Sequence, residues 1–154
     1  MKVLIVDDSA LMRAFVADAV ASTDDLEVCG VAADGLEALG IVERLKPDVI
    51  CLDLLVPLLD GASLLKKINA LRPTPVLIFS SLSRKTECAM DALEAGAIDF
   101  VQKPESGQDV ERAKKELVEK LRLAGSVDHD KLSSFLGAGR SARHPVLAGR
   151  RPDA

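Results

Sequence analysis

Four of five short aliphatic runs in this sequence end in residues able to do chemistry: Asp7-Asp8 after the first, Asp53 after the third, Ser80-Ser81 after the fourth and Lys103-Pro104 after the fifth. Taken singly, an Asp pair after a strand reads as a solvated loop or a helix cap, and Lys-Pro reads as a turn. Brought together they supply three carboxylates, two hydroxyls and one ammonium. Two unit charges 4 Å apart repel by about 4 kcal/mol at an effective dielectric near 20, so gathered carboxylates require a cation. An oxygen donor set without His or Cys favours a hard ion such as Mg²⁺, which needs one or two direct carboxylates and keeps water on its other positions. Asp53 is then available as a nucleophile toward phosphorus, forming an acyl phosphate. Lys103 and the metal would neutralise charge on the transferred oxygens, and Ser80 would donate a hydrogen bond to one of them while small Ser81 leaves the approach open. No Gly-rich Walker loop is present, so a nucleotide is not the expected donor.

This chemistry requires that the four chain segments meet. Runs at 3–6, 28–32, 49–52, 76–79 and 100–101 read as strands. Between and after them, helical periodicity predicts a first helix following the N-cap Ser9, with apolar positions at Leu11, Phe15, Ala19 and Val20. Others are expected over about 35–45, 62–71, 85–95 and 108–123, punctuated by Pro47, by Arg72-Pro73-Thr74-Pro75, by Gly96 and by Gly125. The strands are apolar nearly throughout instead of alternating, as expected where helices cover both faces of a parallel sheet. The predicted fold is α/β, a doubly wound five-stranded parallel sheet with five helices, and in such sheets the reactive crevice lies at the carboxyl ends of the strands.

Composition narrows the function classes. The 154 residues allow one compact domain over 1–124 and an appendage over 125–154 that is rich in Ser, Gly, Ala, Arg and Pro and reads as a flexible linker or tail. With no Trp, no Tyr and four Phe, an aromatic platform for nucleic acid is not expected. The appendage carries five Lys or Arg against three Asp, leaving fifteen basic against twenty-one acidic residues before it. That acidic body argues against a phosphate-backbone footprint, although Arg140, Arg143, Arg150 and Arg151 could meet an acidic surface. Cys29, Cys51 and Cys88 lie in apolar segments and read as small buried hydrophobes. No stretch approaches the roughly 18 apolar residues of a membrane span, so membrane insertion is not expected and a cytoplasmic location is the default.

Asp7-Asp8, Asp53, the Pro57-Leu58-Leu59-Asp60-Gly61 loop, Ser80-Ser81, Phe100 and Lys103-Pro104 resemble, in order and spacing, the signature of response regulator receiver domains over roughly residues 1–123. The resemblance implies a flavodoxin-like strand order 2-1-3-4-5 and phosphorylation of Asp53 by a histidine kinase, of chemotaxis type. It implies Mg²⁺ held by Asp8, Asp53 and the Leu55 backbone carbonyl and through water by Asp7, with Lys103 on the phosphate and a commonly cis Lys103–Pro104 bond. It also implies a switch in which Ser80 moves inward and Phe100 turns into the vacated space, altering the face formed by the fourth helix, fifth strand and fifth helix, where an effector domain or partner protein reads the state. The stretches 71–82 and 92–101 are further similar to the amino-terminal receiver of chemotaxis protein-glutamate methylesterases. No Gly-x-Ser-x-Gly elbow follows, so the chain is expected to be a regulatory part without esterase activity, or a stand-alone relative.

One departure stands two positions after the phosphoacceptor. The family often has a polar or acidic residue or Met there, and this chain has Leu55 between Leu54 and Val56; an apolar side chain there would hinder water or alter kinase docking. Leu58 and Leu59 make the same loop unusually apolar, with core packing the favoured reading. Competing readings are a receiver-like interaction module that takes no phosphate, and a phosphoester hydrolase using Asp53, for which no substrate-capping insertion is evident.

Overall fold

The computed structural model describes residues 1–57, 60–83, 85–105, 110–127, 132 and 136. Strands and helices alternate as β1 (Lys2–Val6), α1 (Ala10–Ala21), β2 (Glu27–Ala32), α2 (Gly35–Leu45), β3 (Val49–Leu52), α3 (Gly61–Leu71), β4 (Val76–Ser80), α4 (Glu87–Glu94), β5 (Asp99–Gln102) and α5 (Val110–Gly125). The strands form one sheet in the order β2-β1-β3-β4-β5, every pairing parallel. This is the doubly wound arrangement anticipated from the uninterrupted apolar runs. A bulge shifts register between Val3 and Leu4 where β1 meets the edge strand β2. α4 starts later than expected because Thr86 takes the N-cap, its side chain accepting from the Ala89 N–H.

Side chains leave a strand on alternate faces, so the sheet divides the core in two. Leu4, Val6, Ile50, Leu52, Ile78 and Phe100 pack on the side of α2, α3 and α4. Val3, Ile5, Cys51, Phe79 and Val101 pack on the side of α1 and α5. The two halves are anchored unequally. α5 buries Ala113, Leu117, Val118, Leu121 and Ala124, whereas α4 buries only Ala89 and Ala92. Asp99, buried at the start of β5, is further tied to α5 by Lys120 at 2.8 Å.

Some side chains of apolar segments depart from simple burial. Leu11 is 75% exposed, because α1 is apolar on nearly every face and its buried face runs through Val16, Ala19 and Val20. Cys88 is exposed on α4 and Cys29 half-buried, so only Cys51 is the buried thiol anticipated for all three; burial pushes the Cys51 thiol far up.

Glycine is favoured at two turns. Gly96, after α4, has φ +117, a conformation that side chains strain to adopt. At Gly61, which opens α3, an added Cβ would lie 2.5 Å from Leu54 Cδ2. Beyond α5, Leu132 is buried in the α1/α5 half of the core and Leu136 packs against it, so apolar contacts of the domain continue past Gly125. The Leu58-Leu59 pair and Arg140, Arg143, Arg150 and Arg151 lie outside the described residues. No helix among the described residues is long and apolar enough to cross a membrane.

Gly40 is the contrasting glycine: it sits inside α2, exposed, with nothing within 4 Å of an added Cβ. Gly40→Ala is therefore expected to raise stability by about 0.5–1 kcal/mol, seen as a higher midpoint in urea denaturation with unchanged slope.

Candidate active site

All five strands point the same way, so the residues that follow β1, β3, β4 and β5 meet at one edge. Asp7 and Asp53 begin the loops after β1 and β3, and each still uses its backbone N–H as a strand residue would. Asp7 donates to Ala32 O at 3.0 Å and Asp53 to Val6 O at 2.9 Å. This keeps both carboxyls close to the sheet edge, where they are buried. Asp8, one residue farther, is exposed. Oxygens of Asp7, Asp8 and Asp53 lie within 4.8 Å of one another, as the sequence reading required.

Lys103 reaches into this cluster from the end of β5. Its Nζ lies 2.7 Å from Asp7 Oδ2 and 3.1 Å from Asp53 Oδ2, with the side chain 10% exposed. Burial by itself would push the ammonium pKa down; the hydrogen bond to Asp7 and the charge of Asp53 outweigh it, and the pKa stands above the ordinary lysine value. A raised lysine contributes stability that is complete below its unfolded pKa and is lost only as pH rises through the folded value. The ion pairs are thus intact across the neutral range.

The approach of the lysine is set by its backbone. Lys103 N–H donates to Ser80 O at 2.8 Å, extending the β4–β5 pairing by one residue. No peptide bond among the described residues is cis, so the Lys103–Pro104 bond is trans, contrary to the geometry expected from the resemblance. The strand pairing and the two carboxylates direct the side chain without it.

Ser80 is fully buried at the end of β4, and its Oγ accepts from the Leu82 N–H at 3.3 Å. Ser81 is exposed beside it. Phe100 already lies inside, buried in the α2/α3/α4 half of the core. Leu55 donates its N–H to Asp53 Oδ1 at 3.3 Å, and its side chain is 51% exposed while those of Leu54 and Val56 are buried. One contact escaped the sequence reading. Arg13, on α1, donates from Nη1 to the backbone carbonyl of Asp7 at 2.7 Å. A bond to a main-chain oxygen leaves no pattern of paired charges to find.

The donor set fits a hard divalent cation: three carboxylates, a nearby main chain, and no His or Cys in the cluster. The lysine shows that the cluster demands positive charge. Asp53 is buried, with Lys103 on one carboxylate oxygen and the Leu55 amide on the other.

Residues 3–115 match the family model described as the response regulator receiver domain. The protein-glutamate methylesterase/protein-glutamine glutaminase 1 of Syntrophomonas wolfei is 44% identical over 97% of this chain and 42% of its own length. The corresponding protein of Methanococcoides burtonii is 45% identical over 79% of this chain and 35% of its own. The chain thus spans about two fifths or less of these curated relatives. Among solved structures, the response regulator domain of Thermotoga maritima CheB superposes with a TM-score of 0.76 at 42% identity, covering 83% of this chain and 98% of that one. The receiver domain of the Pseudomonas aeruginosa sensor histidine kinase PA1611, with a magnesium ion coordinated in its active site cleft, gives 0.66 at 25% identity, covering 80% and 96%.

Removing the ammonium tests whether Lys103 and a cation serve the same carboxylates. Lys103→Met is expected to cost about 1–3 kcal/mol in urea denaturation at neutral pH, by leaving Asp7 and Asp53 without their donor. Millimolar Mg²⁺ should restore more stability to the variant than it adds to the wild type. An equal Mg²⁺ effect on both proteins would count against shared occupancy.

Proposed function

The chain belongs to the response regulator receiver family, and from that premise we propose that Asp53 accepts a phosphoryl group from the phosphohistidine of a chemotaxis-type histidine kinase. The phosphorylated domain then regulates a methylesterase to which it is joined. The observation that carries this reading is the Lys103 ammonium shared by Asp7 and Asp53 within the three-carboxylate cluster. A lysine bound to two carboxylates can transfer its hydrogen bonds to phosphoryl oxygens without leaving the pocket.

In the transfer, an Asp53 oxygen attacks phosphorus in line, the new O–P bond forms, and the P–N bond to the donor imidazole breaks. Asp8, Asp53, the Leu55 backbone carbonyl and, through water, Asp7 would hold Mg²⁺. When bound, the ion supplies positive charge to the transferred oxygens. Lys103 neutralises another oxygen. The Ser80 hydroxyl, which accepts from the local Leu82 amide, turns to donate to a third.

Conversion of that charge into a signal follows the same residues. Movement of Ser80 toward the phosphate would fix Phe100 in its inward position and shift α4 against β5 and α5, the face read by an effector domain or partner. Moving a population from 1:99 to 99:1 takes about 5.5 kcal/mol of differential stabilisation. One charge-assisted hydrogen bond gives about 1.5–3. Ser80 alone is insufficient; with Lys103 and the metal the total is reached.

Incubation with a small phosphodonor and Mg²⁺ is expected to add one phosphoryl group by intact mass, and Asp53→Asn is expected to abolish it while the fold persists. An unchanged wild-type mass would favour a phosphate-independent interaction module. Leu55, half exposed beside Asp53, is expected to shield the acyl phosphate from water. Leu55→Asn should therefore shorten the phosphorylated lifetime several-fold, measured as decay of the heavier species after donor removal. An unchanged lifetime would remove Leu55 from the control of hydrolysis.

A further inference from the structure

Asp8 differs from its two acidic neighbours in how it is held. Asp7 and Asp53 carry ion pairs to Lys103, while Asp8 is exposed and its carboxylate takes no hydrogen bond from the described residues. Its position has to come from its backbone, and the two peptide groups on either side of it are both fastened. The peptide that follows it ends in the Ser9 N–H, which donates to Asp7 Oδ1 at 2.9 Å. The peptide that precedes it contains the Asp7 carbonyl, which accepts from Arg13 Nη1 at 2.7 Å. A planar peptide has no internal freedom, so holding the Asp7 oxygen fixes the plane from which Asp8 departs.

We propose that Arg13 is a positioning residue for the cation site: it clamps the Asp7–Asp8 peptide plane and so aims the otherwise unsupported Asp8 carboxylate at the space between Asp7 and Asp53. The inference rests on the functional reading above, in which Asp8 is a metal ligand. Arg13 is well placed for the task. Helix side chains tilt toward the helix N-terminus, and α1 begins just after β1, so an arginine one turn into α1 reaches back over the loop it must hold. Its own N–H meanwhile donates to Ser9 O at 2.9 Å, tying the clamp to the cap of the same helix. One side chain of Asp7 and one of Arg13 therefore grip Asp8 from its two ends, while Lys103 keeps the Asp7 side chain from turning away.

This role has a signature opposite to that of a bystander charge. A guanidinium that merely stood near the cluster would repel a divalent cation, and its removal would tighten binding. A guanidinium that orients a ligand would weaken binding when lost, and groups that orient metal ligands typically account for roughly 10- to 100-fold in affinity. Arg13→Met keeps most of the aliphatic stem and removes donor and charge together. Arg13→Gln retains a donor but lacks the reach, and Arg13→Lys retains charge and donor.

Titration of the full chain with Mg²⁺ by calorimetry should give about a tenfold weaker Kd for Arg13→Met and Arg13→Gln, with Arg13→Lys recovering most of the loss. Hydrogen exchange without metal should show the Ser9 amide exchanging faster in the first two variants. Folded variants with unchanged or tighter Mg²⁺ binding and unchanged Ser9 exchange would overturn the proposal. If the wild type itself fails to bind Mg²⁺, the functional reading falls, and Ser9 exchange still decides whether Arg13 holds the loop. Should the methionine variant fail to fold, the glutamine variant decides by the same two readouts.

Discussion

Three carboxylates at the edge of one sheet are tolerable only because a lysine is folded into their midst. The Lys103 ammonium sits within hydrogen-bonding distance of Asp7 and Asp53, and both acids are buried. At such separations the repulsion between unscreened carboxylates is several kcal/mol, a large share of the 5–15 kcal/mol that holds a typical domain together. The pocket is therefore a compromise. It gathers three carboxylates at one edge, and it carries within itself the positive charge that offsets them.

The fold makes this compromise possible through direction. In a parallel sheet every strand delivers its last residue to the same edge, so four segments separated by more than twenty residues each converge without long loops. The final hydrogen bonds of the ladder extend beyond the strands into the site, from Asp7 to Ala32, from Asp53 to Val6 and from Lys103 to Ser80. Asp7, Asp53 and Lys103 are thus hung directly on the hydrogen-bonded sheet. Asp8, Leu55 and Ser81, one or two residues past that support, are exposed.

Much of this was legible in the order of residues. Unbroken apolar runs announce strands buried on both faces, and polar residues directly after four of the five runs mark the edge where the cluster forms. What escaped notice involves partners without pattern. Leu11 belongs to the apolar repeat of α1 yet is exposed, because α1 offers apolar residues on most sides and periodicity cannot pick its buried face. Lys120 looks like one of many charges on α5, and only the packing reveals its bond to buried Asp99. Arg13 bonds to a carbonyl, which every residue possesses. The trans Lys103–Pro104 bond is equally unreadable, since cis and trans differ by only about 0.5–1 kcal/mol before an X–Pro residue meets its surroundings.

The unequal anchoring of the last two helices sets where the molecule yields. α5 is fastened by leucines, a valine and an ion pair, while α4 buries only Ala89 and Ala92, with Leu93 partly buried beside them. With less apolar surface withdrawn from water, α4 is held at lower free-energy cost than α5, so local opening of the domain is expected to begin on its side of the sheet.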